Sequence, residues 1–132
     1  MLYPELLNGM PWDQFLQTLT IKANIKSNNF EISRNDLADL FFEVEHLDHN
    51  VKTVMLNAVD YSYVRLWGNS PNIETNEENL RQGIMASIWG ADLQVHRAVP
   101  VHTIIALSEI EQPKNFIPRL AVIMQMKERF TS

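Results

Sequence analysis

The residues that pair metal-ligand chemistry with close spacing are His46, Asp48 and His49, in the segment Glu45-His46-Leu47-Asp48-His49. Two imidazoles three residues apart at a helix end, with a carboxylate between them, have the residue types of a metal site. Such a site needs a third strong ligand at a fixed spacing, and the sequence supplies none. Histidines at a helix C-terminus also have an ordinary role, because protonated imidazole complements the dipole there. The reading is solvated histidines and no metal, with a small cytosolic ligand- or metal-binding protein using His46 and His49 as the alternative. His96 and His102 have no Ser or Cys nucleophile at a recognisable spacing. The chain has no cysteine, and Ser87 and Ser108 sit in no nucleophile elbow. The 4 glycines are scattered as helix stops and strand breaks rather than gathered into a phosphate-cradling loop. No catalytic residue, no metal and no cofactor is expected.

The charge balance points the same way. The 132 residues carry 16 acidic and 11 basic side chains, a formal net charge of -5. Arg34, Arg65, Arg81, Arg97 and Arg119 are dispersed, so no basic stripe for specific nucleic acid recognition is visible. No window approaches the about 18 apolar residues of a membrane span. Glu5 and Asp13, with no basic segment before them, do not read as a signal peptide. Without cysteine no disulfide staples the fold, which is compatible with a reducing cytoplasm.

The elements that must position these residues follow from punctuation and periodicity. Pro4, Asn8-Gly9 and Pro11 suggest turns or an extended arm, and Trp12, Phe15, Leu16 and Leu19 fall at helical spacing. Lys22 to Asn29 is polar and reads as a loop. Residues 1–32 are therefore taken as an arm or short helix, and 33–132 as a single α+β domain. Ser33 is a helix cap with Asp36 at the positive end of the dipole. Leu37, Leu40, Phe41, Val44 and Leu47 make one apolar stripe behind that cap. Val51 to Leu56 reads as a strand. Asn57 caps a helix from Ala58 to Trp67 that faces the core with Val59, Tyr63, Leu66 and Trp67. Thr75 and Glu78 have the spacing of a reciprocal cap.

The chain is organised around 83–100. Gly83 stops a helix, Ile84 to Trp89 reads as a buried strand, Gly90 breaks it, and Leu93 and Val95 alternate with Gln94 and His96. Thr103 to Leu107 and the alternating run from Leu120 to Lys127 read as further strands, with a helix the rival over the last run, because Met, Gln, Lys and Glu all favour it. A mixed or antiparallel central sheet with flanking helices is expected, its core including Trp67, Trp89, Gly90 and Leu93.

Five pieces in order resemble the tailed-bacteriophage major capsid protein family. They are Glu45-His46-Leu47-Asp48, then Val51-Lys52-Thr53-Val54-Met55-Leu56-Asn57, then Asp60-Tyr61 through Leu66-Trp67-Gly68, then Ile73-Glu74-Thr75, and finally Ile88-Trp89-Gly90-Ala91 with Arg97-Ala98-Val99-Pro100. The resemblance implies the axial domain and adjoining peripheral strands of a shell subunit. The short stretch before Ser33 implies a fragment, a processed form or a reduced relative. It further implies a structural virion protein, assembled in the host cytoplasm, whose partners are copies of itself and other virion subunits, with no membrane. The candidate contact loop is Asn69, Ser70, Pro71 and Asn72, because loops of that domain gather at capsomer axes.

Overall fold

The computed structural model describes residues 11–67, 72–81, 83–109 and 119–128. Its elements run α1 Trp12–Gln17, β1 Leu19–Lys26, α2 Arg34–His46, β2 Thr53–Leu56, α3 Ala58–Val64, β3 Asn72–Ile73, α4 Glu77–Arg81, β4 Ile84–Ile88, β5 Ala91–Val95, β6 Thr103–Glu109 and β7 Arg119–Gln125. The class is mixed α+β, and the seven strands among the described residues lie in one sheet in the order β1-β7-β6-β2-β5-β4-β3. β1 runs parallel to β7 and β2 parallel to β5, and the other pairs are antiparallel.

Strand alternation sorts the apolar side chains into two layers, because successive residues point to opposite faces. Val54, Leu56, Leu93, Val95, Ile104, Ala106, Val122 and Met124 join the stripe of α2 (Leu37, Leu40, Phe41 and Val44) in one core. Met55, Ile105, Leu107, Ala121 and Ile123 face the other way and bury Phe15 of α1 together with Val99. β7 is thus a two-faced central strand, which explains its unbroken apolar run.

α2 begins with a full capping box. The Ser33 hydroxyl accepts from the Asp36 amide, and the Asp36 carboxylate accepts from the Ser33 amide. Asp48, just after the helix, has φ 62, and the chain then turns into β2.

Four expectations need correction. Lys22 to Lys26 is strand rather than loop, because β1 is an outer strand whose polar residues face solvent while its backbone pairs with β7. The N-terminal stretch from Trp12 onward therefore belongs to the same sheet and core as the rest, not to an arm ending at residue 32. α3 ends at Val64 rather than Trp67 and turns Asp60, Tyr61 and Val64 inward, leaving Val59 44% exposed and, beyond the helix, Leu66 81% exposed. The cap of α4 comes from Asn76, whose Oδ1 accepts from the Glu78 amide at 2.9 Å, while Glu74 rather than Thr75 holds the preceding amides. Among the described residues, no helix is long and apolar enough to cross a membrane.

Candidate functional site

The β4–β5 hairpin closes in two residues, since Ile88 pairs with Ala91. A two-residue hairpin loop favours positive φ at both central positions, a geometry suited to Asn-Gly. Here the pair is Trp89, at φ 52, and Gly90, at φ 84. Gly90 suits the turn for its backbone freedom alone, because a Cβ there would meet nothing within 4 Å. Trp89 does not suit it: a bulky L-residue at positive φ is a conformational outlier.

The turn throws the Trp89 ring outward onto α2. Its centroid lies 5.3 Å from that of Phe41, with the planes at 88°, an edge-to-face pair. The indole remains 51% exposed, and Phe42 beside it is 64% exposed. With Ala38 and Glu45 these rings line an open groove of about 340 Å³. Trp89 and Gly90 were expected in the core, and both are exposed. The physical reason is the tight turn, which leaves no strand position for the indole to point inward. Leu93 is buried as expected, and Trp67 is half-buried beneath the Arg34 guanidinium, 5.9 Å from the ring centroid.

Of the histidine cluster, His46 packs against this surface. His46 stacks on Phe42 with centroids 6.1 Å apart and planes at 21°. Among the described residues, no three of His, Cys, Asp or Glu gather as possible metal ligands. Of the candidate contact loop, Asn69, Ser70 and Pro71 lie outside the described residues. Asn72 is exposed at the start of β3, opposite Ser87.

Two carboxylates are buried, Asp60 and Asp36, and the sequence pattern points to the burial of neither. Asp60, fully buried at the start of α3, accepts the His102 backbone N–H on Oδ2 at 2.9 Å. Its Oδ1 lies 3.7 Å from His102 Nδ1, and neither of these two atoms has a hydrogen-bond partner among the described residues. Burial pushes the Asp60 carboxyl above its ordinary value, against the opposing pull of the His102 amide and imidazole. Asn57 adds a second tie, donating from Nδ2 to the Val99 carbonyl at 2.8 Å. Together they fasten the 97–102 loop to the N-terminal turn of α3. The Asn57 cap was the available signal, but a partner 42 residues away leaves no local trace.

Asp36 is the other carboxylate. It lines a depression of about 390 Å³ with Ser27, Asn29, Asp39 and Glu43. Its oxygens are already engaged by the Ser27 hydroxyl at 2.6 Å, the Asn29 amide at 3.0 Å, and the Ser33 amide and hydroxyl, each at 2.9 Å. Burial alone would raise its pKa, but these bonds together hold it below the usual value. The carboxylate ties the β1–α2 connection together rather than offering itself to a ligand.

The solvent side of α2 is acidic beside the groove, with Asp39 and Glu45 exposed and Glu43 half-exposed. The arrangement is a surface: two exposed aromatic rings held by packing and a strained turn, with negative charge at the margin. Comparison with family models, with curated proteins and with solved structures returned no match to the chain.

Proposed function

We propose that this chain is a structural virion protein, a capsid subunit or capsid-derived module that self-associates into a phage head shell. It works without a catalytic step or a cofactor, and its partners are copies of itself and other virion subunits. It assembles in the host cytoplasm, with neither specific nucleic acid recognition nor membrane attachment in the mechanism.

The observation that carries this reading is Trp89. A tryptophan held at φ 52 and half exposed contributes little to the core while straining the turn that presents it. Backbone strain of this kind costs of the order of 1–3 kcal/mol and clusters where it serves a contact. Large aromatic residues presented on a surface are the usual anchors of protein–protein interfaces. The motif pieces that resemble the capsid family run from the end of α2 through the loop after β5, and Trp89 lies within the last of them.

Sedimentation velocity and negative-stain microscopy over rising protein concentration test the proposal. Concentration-dependent rings, arcs or closed particles are the expected result. A chain that stays monomeric to millimolar concentration, alone and with co-expressed virion subunits, overturns it.

A further inference from the structure

We infer that copies of this chain join head to tail, with Leu66 of one copy seated in the groove between Phe42 and Trp89 of the next, and Arg65 set against Glu45. The inference rests on the self-association reading above and specifies its contact.

The groove is an apolar hole whose margin is acidic. Glu45 lines it, and Asp39 and Glu43 lie on adjoining turns of α2. Packing one groove against another about a two-fold axis would bring these carboxylates face to face, and like-charge juxtaposition across an interface is costly. The occupant that fits is an apolar knob flanked by positive charge. Leu66 is the most exposed large apolar residue among those described, at 81%, and the preceding residue, Arg65, is also exposed. The Arg65 guanidinium meets the carboxylate that an apolar partner would leave uncompensated.

Knob and hole are different patches of the surface. Arg34 covers Trp67, which follows Leu66, so the knob lies by the N-terminal end of α2. The groove lies along Ala38 to Glu45, and eight residues of helix from Arg34 to Phe42 span roughly 12 Å. Joined head to tail, unlike patches form a heterologous contact that propagates into rings or chains, whereas the same pair made reciprocally would close a two-fold dimer. The head-to-tail form is the contact geometry a capsomer needs.

The test exploits that asymmetry. Leu66→Ser and Trp89→Ser each remove one half of the junction from exposed positions, with far-ultraviolet circular dichroism confirming the fold. Each variant alone should associate at least about tenfold more weakly than the parent by sedimentation equilibrium, as loss of an interface anchor does. An equimolar mixture of the two should form a 1:1 dimer and nothing larger, because only one intact junction can be made. Glu45→Arg and Arg65→Glu should each weaken association, and the two together in one chain should restore it. Association unaffected by Leu66→Ser but lost in Trp89→Ser would mean that the groove takes another occupant, and overturns the inference while leaving self-association standing. A parent chain that does not associate at all removes both.

Discussion

Asp60 and His102 are joined across 42 residues by a hydrogen bond of 2.9 Å from the His102 amide to Asp60 Oδ2, inside a site from which the Asp60 side chain reaches no solvent. The bond fixes the loop that leads into β6, and His102 takes φ 70 to make it. The second carboxylate oxygen, 3.7 Å from the imidazole nitrogen, has no hydrogen bond among the described residues.

That arrangement sets the sign of a pH effect. Burial raises the folded-state pKa of Asp60 above its ordinary value of 3.8, so the fold binds this proton more tightly than the unfolded chain does. The stabilising contribution is complete below pH 3.8 and is lost as pH rises through the folded value. Asp60→Asn retains an acceptor for the His102 amide and removes the buried charge. Its urea midpoint at pH 7 should equal or exceed the parent's, with the difference shrinking in acid. Asp60→Ala strands the buried amide and should cost about 1–3 kcal/mol at either pH. A loss in Asp60→Asn as large as in Asp60→Ala would show that the ionised pair with His102 is what holds the loop.

Asp36 has the opposite sign. Burial works to raise its pKa, but hydrogen bonds from Ser27, Asn29 and Ser33 outweigh it and leave the folded value below 3.8. Its contribution is present above pH 3.8 and is lost as pH falls through the folded value. Asp36→Ala removes the box at the start of α2 and leaves buried donors unmet. Destabilisation of about 2 kcal/mol at pH 7 is expected, narrowing in acid. Urea titrations of parent and variant at pH 7 and pH 3 measure it. A difference that does not change with pH would assign the loss to packing alone.

What the sequence made legible was what local pattern controls. The stripe Leu37, Leu40, Phe41 and Val44 and the alternation from Leu120 to Met126 each declare a buried face within a few residues, and both faces are where the pattern put them. β1 is not legible, because an outer strand buries little and its Lys and Asn residues look like loop. α3 was rotated because seven residues give too few turns to fix a face, and its true orientation follows from Asp60 meeting His102. Trp89 was misplaced because hydrophobicity suggests burial, whereas the two-residue hairpin dictates exposure.

β1 also guards an open edge of the sheet. Among the described strands it pairs only with β7, and its pairing register skips at Lys22, between Ile21 and Ala23. A charged residue at a bulge discourages another strand from adding to an open edge. Replacing Lys22 and Lys26 by Thr should leave the unfolding midpoint nearly unchanged while accelerating turbidity growth on prolonged incubation. No increase over the parent would mean that the edge is protected by something other than these lysines.

The last prediction separates stability from contact at Trp89. Its φ of 52 belongs to a turn position where Asn is comfortable and Trp is not, so Trp89→Asn relieves backbone strain in the hairpin. Against that relief stands the lost edge-to-face contact with Phe41, worth about 0.5–1.5 kcal/mol, and the apolar area of a ring already 51% exposed. The opposing effects are of similar size, so the variant should lie within about 1 kcal/mol of the parent, far from the 3–5 kcal/mol loss of a core tryptophan. Self-association follows a different rule, because it depends on the indole and not on the turn. Thermal unfolding and sedimentation equilibrium on the same samples give the two readings. Stability near the parent value with association lost is the outcome expected of a residue retained for contact. A fall of several kcal/mol would return Trp89 to the core and remove it from the interface.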